Sequence, residues 1–292
     1  MPKPTVRRPL PCAKCGYDIE GLSVPGHCPE CGHPILDSIE AAIDPAASAL
    51  APAGSPERRT AWALQFACAG LVLVLAVGLR GALRVLLGFT SAGFARPEGF
   101  ADRVDARFGP PLETIGLVLA LGGAAAGLVG LAFVLPAGRS RAQRRARHLG
   151  GAGFAIIAAL LLLPEVRGAV MLLSVPIAMV LVGISPAFRD IGARSKVYRT
   201  RRSAKQQIHV LLVAAGVAVC AALGGETLSR AEPGSKVAEF GETLFLVAGT
   251  SAVLLGIGLV YLAANAWWVL QAVLRPPPRL EELVEHSEDL DR

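Results

Sequence analysis

Long apolar runs without one Asp, Glu, Lys, Arg or His recur from residue 62 onward, and they restrict this chain more than any other feature. A helix of about 20 such residues spans the roughly 30 Å hydrocarbon core of a bilayer. In lipid the backbone must satisfy its own hydrogen bonds, which a helix does within one segment. The runs are Trp62–Leu79, Thr114–Leu135, Leu149–Leu163, Gly168–Ile184, Val210–Gly224 and Thr243–Ala264, the last extending helically toward Leu274. They predict an all-α transmembrane helical bundle of six spans. At about 22 Å the third run is too short, so its helix is expected to start earlier, among the arginines. Pro164-Glu165-Val166-Arg167 makes spans three and four a tight hairpin, and Pro176 is expected to kink span four. Composition agrees: 53% hydrophobic residues and a mean hydropathy of +0.50 exceed what a soluble chain with 18% charged residues shows.

The charges fall between the runs. With the N-terminus inside, the inner segments carry 21 Lys and Arg and the outer ones 8, so the positive-inside rule places both termini in the cytoplasm. The exception is the first outer loop, where Arg80 and Arg84 lie close to Leu83, Val85, Leu86 and Leu87. That stretch either extends span one by snorkelling or lies along the interface. The basic loop 185–207 holds Arg194, Lys196, Arg199, Arg201 and Arg202, candidate residues for an anionic membrane surface.

Ahead of the first span stand four of the six cysteines, as Cys12-Ala-Lys-Cys15-Gly and Cys28-Pro-Glu-Cys31-Gly. Two Cys-x-x-Cys pairs suit one tetrahedral Zn²⁺ whose shell is closed by four thiolates. Iron is the chemically allowed alternative, since a four-thiolate set holds either metal. Gly16 and Gly32 follow the pairs where a tight turn requires positive φ, turning backbone N–H groups toward sulfur. Reduced thiolates imply a reducing compartment, which agrees with the charge count. No secretory signal peptide is expected ahead of the cysteines. Tyr17, Ile19, Leu22 and Ile35 are the expected apolar cover, and His27 and His33 are expected to be exposed bystanders. The sequence therefore divides into a zinc ribbon (1–36), an Ala/Pro-rich linker (37–57), a six-span transmembrane domain (58–275) and an acidic tail (276–292). The linker lacks periodicity, so the ribbon is expected to be tethered without being necessarily docked.

The two knuckles resemble the zinc-ribbon or rubredoxin-like family. With Tyr17-Asp18 and Gly21-Leu22 they resemble the N-terminal ribbon of uncharacterised bacterial multi-pass membrane proteins. That resemblance covers about 36 residues. It implies metal binding and no activity for the remaining chain. The excess of Arg over Lys, with abundant Ala and Gly, suits a GC-rich bacterial genome and an inner-membrane location.

Chemistry inside the spans is sparse. Polar side chains there reduce to Gln65, Ser174, Thr250, Ser251 and Asn265, which argues against a proton-coupled pump. An enzyme would need His209 with Glu226 or Glu242, which lie on opposite expected sides. Gly123-x-x-x-Gly127 and Ala126-x-x-x-Gly130 permit close helix approach, either within the chain or as a homodimer seam; Gly249 and Gly256 share a side of span six. The ribbon's near-neutral charge disfavours nucleic acid. The reading is an integral membrane protein whose cytoplasmic ribbon meets an unknown protein partner. The alternative is a small-solute or lipid transporter with an accessory ribbon.

Overall fold

The computed structural model describes residues 4–48, 50, 52–78, 100–134, 141–163, 173–200, 208–228, 230 and 235–285. The loop around Arg80 and Arg84, the Pro164–Arg167 hairpin, Arg201, Arg202 and the last residues of the tail lie outside them.

Six long helices follow the apolar runs: α3 (Ser55–Val74), α4 (Phe100–Val129), α5 (Arg141–Leu162), α6 (Ser174–Gly192), α8 (Ile208–Leu228) and α9 (Lys236–Leu274). A short α7 (Lys196–Thr200) lies between α6 and α8. Each long helix packs on the next in sequence, α9 closes the ring against α3, and α3 meets α6 across the middle. Packing of each rod on its sequence neighbours gives an up-and-down order. Five of these helices, all but α3, are long and apolar enough to cross a membrane, which points to a membrane protein. Six qualifying spans are not found among the described residues. The expected first span begins within α3, whose first turn carries Glu57, Arg58 and Arg59, and the chain tightens into a 3₁₀ turn at Leu75–Gly78. Yet one face of α3 is fully enclosed, with Ala61, Leu64, Ala67, Cys68 and Leu71 at most 1% exposed.

The bundle's exterior is apolar. Leu246 is 72% exposed, and Val118, Val253 and Leu254 are each 63% exposed. Water would not tolerate so large a continuous apolar surface, whereas lipid requires it. The third run does gain length among the arginines, since α5 starts at Arg141. Pro176 does not kink span four: α6 begins at Ser174, so the proline sits in the first turn, where no intrahelical N–H is needed. The interior proline of α6 is Pro186, beyond the apolar run. Helix α4 begins 14 residues before Thr114 and contains Pro110 and Pro111, where a sequence reading would end a helix.

Close approach of backbones sets the ring. A Cβ on Gly123 would lie 2.6 Å from the Gly70 carbonyl oxygen and from Leu73 Cβ, and one on Gly127 would enter the Phe154 ring. On Gly130 it would lie 2.9 Å from Phe66 Cβ. Gly123 and Gly127 of α4, and Gly130 just past its end, thus face helices of the same chain. The pair on α9 is different: a Cβ on Gly249 meets nothing within 4 Å, and one on Gly256 makes ordinary contact with Leu75 at 3.5 Å.

Candidate metal centre

Residues 4–43 build two knuckles that repeat each other bond for bond. The Cys12 N–H donates to the Tyr17 carbonyl (2.7 Å) and the Gly16 N–H to the Cys12 carbonyl (2.9 Å). In the second knuckle Cys28 donates to His33 (2.8 Å) and Gly32 to Cys28 (2.9 Å). Gly16 and Gly32 have φ of 79° and 67°, so the glycine after each pair is required by the turn. Single bridges, Pro11 with Asp18 and His27 with Pro34, close the base of each knuckle.

This repetition brings the four sulfurs together. Cys12 Sγ lies 3.6 Å from Cys31 Sγ, Cys15 Sγ lies 3.7 Å from Cys28 Sγ, and all four lie within 4.8 Å of one another. A tetrahedron of thiolates about 2.3 Å from a central ion has edges of about 3.8 Å, so a metal ion fits. A disulfide would instead need about 2.05 Å between sulfurs. Cys12 and Cys28 are buried, Cys31 is half-buried and Cys15 is exposed. Four protein ligands fill a tetrahedral shell and leave no position for substrate. The electrostatics are those of an anion nest. Backbone N–H groups of Cys15 and Lys14 draw the Cys12 thiol down to about 6. At Cys15 the Tyr17 N–H also favours the thiolate, but the crowded thiols of Cys31 and Cys28, with burial, push it up to about 12. Four neighbouring thiols cannot all ionise without a cation, and a bound divalent ion removes that conflict.

Around the sulfurs lies a small core of Val6, Leu10, Ile19, Ile35, Ile39 and Leu283. Of the four expected cover residues, Ile19 and Ile35 are fully buried and Leu22 packs against them, but Tyr17 is 41% exposed. Its backbone is needed by the knuckle and its ring is not. Helix α1 (Ile35–Ala42) supports the first knuckle through Ser38 Oγ, which accepts from the Ala13 N–H at 3.1 Å. Asp18 Oδ1 accepts from Leu10 and Glu20 N–H groups at 3.0 and 3.1 Å. His27 is exposed and His33 half-buried, and neither joins the sulfur cluster.

Leu283 belongs to the opposite end of the chain. The tail forms one turn, α10 (Leu280–Leu283), and then β2 (Val284–Glu285), which pairs antiparallel with β1 (Thr5–Val6). Arg8 donates to Glu282 at 3.0 Å. The ribbon is also fastened from the linker: Arg199 pairs with Asp44, and Lys196 Nζ donates to the carbonyls of Ala41 and Ile43 at 3.1 and 3.3 Å. A ribbon expected to be tethered and not necessarily docked is thus held to the bundle through its linker, because cations of the basic loop reach Ala41, Ile43 and Asp44. Of the surface candidates, Lys196 and Arg199 hold the linker, and Arg194 lines a cavity beside it. Sequence reasoning passed over Ser38 and Asp44, and it read Leu280, Leu283 and Val284 as a short amphipathic turn without placing Leu283 in the ribbon core. Asp44 did carry a signal, an Asp before Pro at a helix start, and its Oδ1 receives the Ala47 N–H of α2 (Pro45–Ser48) at 3.3 Å.

Burial opposes the charge of Asp44, but the Arg199 guanidinium and the Ala47 and Ala46 N–H groups outweigh it and hold the carboxyl below the usual range. A carboxyl depressed in the folded state stabilises above its unfolded value of about 3.9. That contribution disappears as pH falls through the lower folded value. Asp44→Asn should weaken docking by about 2 kcal/mol at neutral pH. Proteolysis within 44–54 should then become faster, and the difference from wild type should vanish in strong acid.

His209 and Glu226, one of the two pairings an enzyme would need, stand near opposite ends of α8, and Glu226 is bonded to Arg230 at 2.8 Å. Comparison with protein-family models, curated proteins and solved structures finds no match to this chain.

Proposed function

We propose that this chain is a six-span integral membrane protein whose zinc-held ribbon is clamped to the cytoplasmic end of the bundle as a protein-recognition module. The observation that carries the reading is the contrast between the ribbon's fixed and open sides. The tail strand, Asp44 and the linker carbonyls fasten it to the bundle. Lys14, Tyr17, Pro29, Glu30 and Leu36 remain exposed, Leu36 at 49%. A closed thiolate shell favours zinc as a structural ion and presents a rigid surface at no further conformational cost. Arg58, Arg59, Arg189, Arg194 and Arg275 lie near or just beyond the helix ends on one side of the bundle, which supports a cytoplasmic location for that side by the positive-inside rule. Packing of α3 against α4, α6 and α9 supports its counting as the sixth span.

The experiment replaces Tyr17 and Leu36 together by alanine, leaving the ligands and core untouched. Crosslinking in intact membranes should capture a protein on the wild-type ribbon and lose it in the variant, with one equivalent of zinc in both. An identical crosslinking pattern in the two would reduce the ribbon to a structural element. Iron in place of zinc would show as thiolate-to-iron absorption in the visible range.

A further inference from the structure

We propose that an arginine-walled cavity at the ribbon end of the bundle binds a phosphate group at the depth of the lipid headgroups. The cavity, about 370 Å³, is lined by Arg58 from the first turns of α3, Arg194 from the turn after α6, and Arg279 following the triple proline. Leu50 and Val273 supply apolar wall. Its size lies within the range of small-ligand sites. Segments remote in sequence bring three guanidinium groups to one hollow; Arg194 has an interaction of its own, so the attraction for an anion rests chiefly on Arg58 and Arg279. The acid in the wall, Glu282, is already held by Arg8 at 3.0 Å. Among the described residues, the guanidinium groups of Arg58 and Arg279 have no hydrogen-bond or ion-pair partner. Arg199 at the same end differs, being committed to Asp44.

The planar guanidinium fork matches phosphate oxygens in pairs, which selects phosphate over a halide. Depth in the membrane favours a lipid source. Trp62, 40% exposed and stacked on Phe66 at 5.8 Å, lies one helical turn beyond Arg58. Trp267, 48% exposed, lies two turns before Arg275 on α9. Exposed tryptophans mark the membrane–water boundary, so the cavity opens beside the headgroups. A soluble phosphate ester would use the same chemistry. The site is independent of the role assigned to the ribbon.

The test places the full-length protein in nanodiscs of phosphatidylcholine doped with phosphatidylglycerol and reads bound lipid by native mass spectrometry. In parallel, detergent-solubilised protein is titrated with inorganic phosphate by calorimetry. Arg58→Ala and Arg279→Ala should each lower retention of the anionic lipid about tenfold. Arg59→Ala, next in sequence but outside the cavity wall, should not change it. Arg279→Lys should recover only part of the binding. Ala53→Phe, which fills the hollow without altering charge, should abolish it. Zinc content and melting temperature verify that each variant folds. The same pattern of variants in the phosphate titration alone would assign the site to a soluble ester. Retention unchanged by Arg58→Ala, Arg279→Ala and Ala53→Phe in both arms, or an equal fall with Arg59→Ala, would overturn the proposal.

Discussion

Cys28→Ser should empty the metal centre and unfold residues 4–43 while the helical bundle survives. Cys28 is 2% exposed and its sulfur is within 3.7 Å of Cys15 Sγ, so the serine hydroxyl leaves three thiolates around a gap. Structural zinc contributes on the order of 10–16 kcal/mol to units of this kind. The ribbon core offers six aliphatic side chains, too few to offset the ordering of about forty residues. Bound zinc should drop from one equivalent to near none, and proteases should cut freely within 4–43. The tail should open with it, because among the described residues β2 has only β1 to pair with and Leu283 is buried in the ribbon. Cys68→Ser and Cys220→Ser should keep full metal, since both cysteines sit in bundle helices away from the cluster. Stoichiometric zinc and intact protease resistance in Cys28→Ser would rule out the four-thiolate site.

The second large effect is expected at Gly183→Leu. A Cβ there would lie 2.6 Å from Gly150 Cα, 2.8 Å from the Gly150 nitrogen and 2.8 Å from the Ala146 carbonyl oxygen. All three are backbone atoms, so no rotamer change relieves the clash and α5 must move away from α6. Overpacking typically costs about 1–3 kcal/mol, and a backbone-to-backbone contact belongs at or above the upper end. The melting temperature in detergent should fall steeply. Gly249→Leu is the control: its Cβ meets nothing within 4 Å, and the side chain would point into lipid, so the melt should hardly change. Equal melts for the two variants would mean that α5 and α6 are not apposed through Gly150 and Gly183.

How far each feature could be read from the sequence follows the range of the interaction. The four-cysteine cluster was legible because four thiols and two positive-φ glycines sit within 21 residues, so one local pattern holds all the geometry. The helices were legible for a similar reason, since the absence of charge over 15 to 20 residues is a local property. Their ends were less so: α4 runs through Pro110-Pro111, and Pro176 falls at the start of α6. Gly123, Gly127 and Gly130 were found by spacing. Gly70, Gly150 and Gly183 were not, because a glycine becomes a contact only when another helix arrives, and spacing names no partner. Among the described residues, Gly249 takes no part in packing within this chain.

By itself the sequence determined the ribbon's four thiolates, the apolar helices and the clustering of cations between them. Tertiary structure alone decided that the ribbon is docked. Arg199 reaches Asp44 across 155 positions, Arg8 reaches Glu282 across 274, and Leu283 completes a core begun at Val6. The cause is the antiparallel ring, which returns α9 to the end where α3 began. That return brings the chain's two ends together, and with them the guanidinium groups of Arg58, Arg194 and Arg279. Metal–thiolate geometry and transfer into lipid act on short stretches of chain. Ion pairs and shared cores depend on which stretches the packing makes neighbours.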